Sequence, residues 1–257
     1  ALGSTAEWRR QSNDASFDLL HMYDLRVVTA EGVDAPTGAM RAELDSLADP
    51  AIVSAAEERL VVGTQVDASN ADQSILVPGR IVGMDLTDGG PHVNSASVAD
   101  GDGRLLTSSD VGKPVVLVEA NFAKFYGLPA AGDLRVAGGQ EVHSVGIAQS
   151  PEYFLVMTEE GGFFAEANFA VLFTSLETAQ HLAERPGRVN DLVIRLAPGV
   201  DPRSAARDVE AAFTDSGLGV TVMQDRDEDA YRVLYDDIEG DQQFWNILAA
   251  LILAGAA

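Results

Sequence analysis

Residues 169–196 read FAVLFTSLETAQHLAERPGRVNDLVIRL, and this stretch sets the fold class. FAVLFT is a short apolar run, the pattern of a buried strand. Thr174-Ser175-Leu176-Glu177 has the S/T-x-x-E spacing of a capping box and predicts a helix running to about Glu184. DLVIRL is the next strand. A strand, a helix and a strand in this order make a β-α-β unit.

The same order of elements extends outward on both sides. Downstream, Asp201 as N-cap with Pro202 at the first helical position opens a helix. Its apolar face is Ala205, Val209, Ala212 and Phe213, Gly217 ends it, and residues 219–223 form a strand. Near the start, residues 24–30 (DLRVVTA) read as a strand, and residues 36–48 follow as a helix with Met40, Leu44 and Leu47 on one face. Asp49-Pro50 stops it, and residues 52–66 return as a long strand. Residues 3–20 form a polar lead-in with apolar positions at Trp8, Phe17 and Leu20.

Residues 74–149 have a different texture. Short apolar runs at 75–77, 80–84, 115–118, 134–137 and 142–147 alternate with Gly/Asp turns, and one helix at 119–126 is stopped by Gly127. The fold class is therefore α+β: a porter-like α/β sandwich of two β-α-β units carrying an inserted small β-rich subdomain. The expected divisions are 1–73 and 150–241 for the two halves of the sandwich and 74–149 for the insertion. The tail at 242–257 is then left over, and 244–257 (FWNILAALILAGAA) carries no charge. At 1.5 Å per residue this apolar run covers about 21 Å, short of a hydrocarbon core about 30 Å thick. It fits either the start of a transmembrane helix or a terminal core helix.

The net charge of −23 argues against nucleic acid, because a polyanion repels such a surface unless a basic patch exists, and the fifteen arginines are scattered while the only two lysines are Lys113 and Lys124. An anionic lipid surface is disfavoured for the same reason. The absence of cysteine removes disulfides, thiolate nucleophiles and Cys-based metal sites. Residues 1–8 lack the basic and apolar regions of a signal peptide, so export of this domain would depend on a membrane segment.

No residue pattern commits to a reaction. Asp100-Gly101-Asp102-Gly103 resembles the start of a calcium loop, but its twelfth position is Val111, where a carboxylate is required. Gly112-Lys113 lacks the upstream glycine of a phosphate-binding loop, and His21, His92, His143 and His181 have no short metal spacing. No serine sits in a G-x-S-x-G turn. Asp225, Asp227, Glu228, Asp229, Asp236, Asp237, Glu239 and Asp241 make the densest charge on the chain. They read as a solvated acidic collar rather than a divalent-cation site. No catalytic, cofactor-binding or metal residue is assigned.

Residues 145–153 (VGIAQSPEY) resemble a segment in the large extracytoplasmic domain of FtsX/MacB-like ABC transporter permeases. Residues 115–135 (VVLVEANFAKFYGLPAAGDLR), 169–173 and 190–199 (NDLVIRLAPG) are similar to further segments of that family, in the same order. Each piece also has a structural reason: Gly127 stops a helix, Gly132-Asp133 turns the chain, and Pro151 holds Ser150 extended. Residues 159–168 are shorter on acidic and aromatic anchors than the family pattern, so no loop contacts are carried over.

The resemblance implies a non-catalytic domain held outside the cell membrane between the first and second transmembrane helices of a permease. Residues 1–3 would leave the first helix, and residues from 244 onward would begin the second. ATP would be hydrolysed by a cytoplasmic ABC ATPase, and the permease helices would carry the motion to this domain. The domain would then export or extract a lipid, lipoprotein, peptide or drug-like substrate. A second reading is a docking or sensor domain that recruits an envelope partner protein such as a cell-wall hydrolase. A third is a membrane-tethered hydrolase, which no motif favours. The permease is expected to be dimeric and the isolated domain monomeric. Like charges at this density repel within a Debye length of about 10 Å at 0.1 M salt. The isolated domain should therefore sediment as a monomer at low ionic strength, and clear dimerisation there would contradict this.

Overall fold

The computed structural model describes residues 3–69, 74–153, 169–228 and 231–232. The acidic residues beyond Glu228 and the apolar tail at 244–257 lie outside the described residues, as does the loop at 159–168. Among the described residues, no helix is long and apolar enough to cross a membrane.

The chain opens with α1 (Gly3–Leu19), β1 (Leu25–Val28), β2 (Ala35–Pro36) and α2 (Ala39–Glu43), then enters the long β3 (Val53–Asp67). Next come β4 (Leu76–Met84), β5 (Ser97–Gly103), β6 (Val115–Glu119), α3 (Ala120–Tyr126), β7 (Gly132–Val136) and β8 (Gln140–Gln149). The last part holds β9 (Ala170–Ser175), α4 (Leu176–Leu182), β10 (Arg188–Val189), β11 (Asp191–Leu196), α5 (Pro202–Ala212) and β12 (Thr221–Gln224). The result is a mixed α+β fold around a ten-stranded mixed sheet, with β2 and β10 paired separately.

At one end the strand order is β12-β1-β11-β3. β1 and β3 are each antiparallel to β11, so they run parallel to each other on its two sides. β11 and β12 flank β1 in the same way. The chain crosses from β1 to β3 through α2 and from β11 to β12 through α5, each crossover stepping over one strand. Alternation gives this sheet two faces. Leu25, Val27, Leu192 and Ile194 share one hydrophobic core with Met40 and Leu44 on the α2 side and Ala205, Val209 and Phe213 of α5 and its end. The opposite face carries Arg26, Glu57, Arg59, Asp191 and Val193.

β3 belongs to both ends of the molecule. Its first half, to Arg59, pairs with β11, and its second half, from Leu60, pairs with β4. From there pairing passes through β9, β6, β8 and β7, and Val136 of β7 pairs with Val66 of β3. The ladder thus closes on itself as a six-stranded ring, with β5 on the remaining edge of β8. Val66, Val116, Val118, Leu134, Val142 and Leu172 are buried in its core together with Phe122 of α3.

Local signals explain the helix boundaries. The Glu119 carboxylate caps α3 by accepting from the Asn121 and Phe122 backbone N–H groups, and Gly127 ends the helix at φ 63°. Asp201 caps α5 with Pro202 in the first turn, as the sequence indicates. The cap of α4 is Ser175, which accepts from the Thr178 N–H, rather than Thr174 one residue earlier. Thr174 instead donates its hydroxyl to the Val115 carbonyl at 2.7 Å and stays in β9. The helix expected at 36–48 is shorter: Pro36 pairs with Arg188 as strand, and α2 gives way to a 3-10 turn at Leu44–Ser46.

α4 lies against β4 at Gly83, where a Cβ would collide with the Ala179 methyl and come within 3.2 Å of the Leu176 Cα. Gly63 on β3 faces open space. Gly83→Ala should therefore cost about 1–3 kcal/mol through forced displacement of α4. Gly63→Ala should change stability by less than about 0.5 kcal/mol. Urea denaturation of the two variants checks the contrast.

Candidate functional site

The polar face of the β12-β1-β11-β3 sheet is covered by chain arriving from four places. These are the end of α1, residues 92–94, residues 150–153 after β8, and residues 225–228 and 231–232 after β12. What joins them is a buried set of charges. Arg26 on β1 and Arg59 on β3 lie on either side of Asp191 on β11, and Glu152 reaches in from the 3-10 turn at Pro151–Tyr153.

Each arginine binds both of these carboxylates. Arg26 Nε donates to Asp191 Oδ2 at 2.6 Å, and its Nη1 lies 2.9 Å from Glu152 Oε1. Arg59 Nε donates to Asp191 Oδ1 at 2.8 Å, and its Nη1 to Glu152 Oε2 at 2.7 Å. The four charges form an alternating square whose side chains are 1–9% exposed. Asn94 donates to Glu152 Oε2 at 2.8 Å and accepts from the Tyr23 backbone N–H at 2.9 Å, tying residues 92–94 to the segment before β1. Arg80 of β4 donates to the Tyr153 hydroxyl at 3.5 Å and lies 5.6 Å from the Phe169 ring centre, so the ring end touches the same junction.

The neighbouring carboxylates of β3 work as brackets. Glu57 accepts from the backbone N–H groups of His92 at 2.6 Å and Val93 at 3.3 Å. Glu58, on the helix face, accepts from the N–H groups of Gly38 and Arg41 at the start of α2. Three consecutive charged residues in one strand, Glu57, Glu58 and Arg59, therefore each hold a different part of the chain.

A fifth charge sits at the margin. Glu228 Oε1 lies 3.1 Å from Arg26 Nη1, the same nitrogen that meets Glu152, and its side chain is 16% exposed. Beside it, Tyr231 stacks on Phe17 of α1 with ring centres 5.2 Å apart. This departs from the solvated collar expected of the acidic run, since its Glu228 is turned inward. The Asp225 carboxyl is also raised from its ordinary range, mainly by burial.

The two glutamates respond oppositely to this setting. Burial alone would raise Glu152, but Arg59 and Arg26 outweigh it and hold the carboxyl down at about 2. Glu228 is pushed up to about 7, first by burial and then by the charge of Glu152, with Arg26 only partly offsetting them. For Glu152 the folded value lies below the ordinary 4.5, so its contribution to stability is present above that pH and is lost as pH falls through about 2. For Glu228 the folded form holds more protons between about 4.5 and about 7, so stability declines as pH rises through that window. The Tyr23 hydroxyl, buried and without a hydrogen-bond partner among the described residues, is raised by its burial and by the Glu228 and Glu152 charges.

The residues weighed in the sequence lie elsewhere or play structural parts. The His21 ring is 3.3 Å from the Ser95 hydroxyl, and His92 contributes its backbone N–H to Glu57. His143 pairs with Asp133 at 2.7 Å on the surface, and His181 sits in the last turn of α4. Asp100-Gly101-Asp102-Gly103 forms the irregular end of β5. Among the described residues, no three His, Asp or Glu side chains are grouped to hold a metal ion. The junction thus offers cohesion between segments: its polar groups are spent on one another.

Fold and junction together define a scaffold that holds distant segments of chain against one another. The sequence profile of the MacB-like periplasmic core domain matches residues 1–212, and the chain belongs to that family. It is a non-catalytic, extracytoplasmic domain of a MacB/FtsX-family membrane permease, part of an ABC-type transport system. Among solved structures, the periplasmic region of MacB from Actinobacillus actinomycetemcomitans is similar, with a TM-score of 0.53 and 11% identity, covering 90% of this chain and 98% of that one. The extracellular domain of the noncanonic ABC-type transporter YknZ from Gram-positive bacteria aligns with a TM-score of 0.49 and 12% identity, over 79% of this chain and 99% of that one. The first likeness is one of fold. No curated protein matches the sequence.

Removing one member of the square leaves charge buried without its partner, which costs about 3–5 kcal/mol. Glu152→Ala should lower the unfolding free energy by about that amount in urea. Arg135→Ala, which breaks an exposed pair with Glu141, should cost less than about 1 kcal/mol.

Proposed function

We propose that this domain receives motion driven by a cytoplasmic ABC ATPase and uses it to export or extract a lipid, lipoprotein, peptide or drug-like substrate. In this reading it acts within a dimeric permease while the isolated domain stays monomeric. Two interleaved β-α-β units, α2 and α5 crossing over the β12-β1-β11-β3 sheet, form the porter-like layer. Residues 1–73 and 150–241 supply that layer, residues 74–149 are the insertion, and β3 and β9 complete the ring. The apolar run at 244–257 begins a membrane helix.

The observation that carries this reading is the double clasp between the two ends of the described chain. Phe17 of α1 stacks on Tyr231, and Glu228 is paired with Arg26 in the sheet. Any relative displacement of α1 and residues 228–232 is therefore delivered to β1 and, through the square, to β3 and the ring. A tight alternating charge set does not deform gradually, which suits it to passing on a rigid shift.

The absence of cysteine permits a direct test. In the full permease, with any cysteine outside this domain replaced, Phe17→Cys with Tyr231→Cys, bridged by a short bis-maleimide, should leave ATP binding intact and reduce substrate transport at least about tenfold. The singly substituted, reacted controls should transport normally. Undiminished transport by the bridged protein would show that the two ends need not move against each other and would overturn the reading.

A further inference from the structure

The charge count of the junction leaves one group over. Arg26, Arg59, Asp191 and Glu152 are closed on one another, two cations against two anions, with every member bonded to both of its opposites. Glu228 adds a third carboxylate to the two buried arginines. It has no nitrogen of its own, sharing Arg26 Nη1 with Glu152.

Of these five groups Glu228 is also the one with a route to water. Its side chain is 16% exposed, against 1% for both Glu152 and Asp191. The groups that act on it are Arg26 from β1, Tyr23 from the segment before β1, Arg59 from β3, Asp191 from β11 and Glu152 from the turn after β8, and α1, packed through Phe17 on Tyr231, carries Asp14 and Asp18. Arg80 of β4 acts at one remove through Glu152. Along its own segment lie Asp225, Arg226, Asp227 and Arg232, and the Arg232 N–H donates to the Glu228 carbonyl at 2.9 Å. An ionised Glu228 in the docked position thus faces two buried carboxylates that already own the arginines. A neutral one keeps a carbonyl oxygen for Arg26 and removes that repulsion.

We propose that Glu228 is a proton-operated latch: protonated, it seats its own segment and residues 231–232 on the β1-β11-β3 face, and ionised, it releases them. The acidity of the compartment outside the membrane then sets how firmly one of the two clasped ends is held. The latch deepens the proposed function and rests on it only for its consequence in transport, because release would separate Tyr231 from Phe17 and loosen the path into the sheet. Geometry supplies the surplus carboxylate and its exit, and the upward shift of Glu228 to about 7 puts the change near neutral pH. A displacement of that size from the ordinary 4.5 corresponds to a change in the docking equilibrium of about two orders of magnitude.

Leu19 is 76% exposed on α1 and Arg232 is exposed beside Tyr231. Spin labels on Leu19→Cys and Arg232→Cys in this domain should give one short, narrow distance distribution at pH 5.5. At pH 8.5 the distribution should be longer and broader, with the midpoint of the change between about pH 4.5 and about pH 7. Adding Glu228→Gln should keep the short distance at both pH values. Distances that do not change between pH 5.5 and 8.5, or a Glu228→Gln protein that follows the parent, would overturn the latch. If Glu228→Gln does not fold, carboxyl NMR of the parent decides, and a Glu228 titration below about pH 5 would overturn it. The measurement needs neither ATPase nor transport, so its failure leaves the transmission reading standing, and failure of the bridging experiment leaves the latch standing.

Discussion

Arg59 is held between Asp191 and Glu152, and the rest of the structure depends on that pairing. A guanidinium that is 3% exposed would be ruinous alone, because burial of an unpaired charge costs several kcal/mol. The fold meets this cost by bringing together β1, β3, β11 and the turn after β8. A planar guanidinium offers five donors in a fixed fork, so two arginines can each serve two carboxylates without distortion. An apolar replacement could cover the same area, but it would not dictate which segment arrives where. Directional bonds at 2.6–2.9 Å do so, and the register of four separate parts of the chain follows from them.

β3 converts this local order into a property of the whole domain. Its first half carries Glu57, Glu58 and Arg59 and belongs to the sheet; its second half belongs to the closed ring. One continuous strand allows little independent rotation between the two ends, and α4, pressed on β4 at Gly83, braces the same corner. The hydrophobic core agrees with this, since residues of the sheet, the ring, α3, α4 and α5 fall in one cluster. The sheet and the ring are therefore tied to each other through β3.

Much of the secondary structure was legible in the sequence because its causes are local. Asp201-Pro202, Gly127 and the run at 191–196 carry their own signals, and the structure places a helix start, a helix end and a strand there. The cap at Ser175 was missed by one residue because Thr174 and Ser175 are chemically equivalent caps, and only the Val115 carbonyl decides between them. The square was not legible. Arg26 and Asp191 stand 165 residues apart, and no local pattern announces such a pair. Glu152 lay inside the VGIAQSPEY segment, where Pro151 drew attention to backbone shape and away from the carboxylate. A faint signal did exist: Arg26 interrupts an apolar strand, and Glu57-Glu58-Arg59 puts charge on both faces of another. Alternation cannot leave both faces of a central strand in water, so those charges had to be paired inside.

The path of the chain through the sheet has a consequence for biogenesis. β1 leaves the ribosome early, yet both of its partners, β11 and β12, come near the end of the domain. Every ring strand, from β3 to β9 ending at Ser175, is made before β11 begins at Asp191. While the ring strands are being made, Leu25 and Val27 of β1 therefore have no neighbouring strand to cover them. Long-range pairing of this kind is slow and prone to aggregation while it waits. The buried arginine on β1 disfavours wrong partners during that interval, since no strand lacking a carboxylate at the right position can satisfy Arg26. The square that organises the finished domain can thus be completed only after β11, which carries Asp191, has been made.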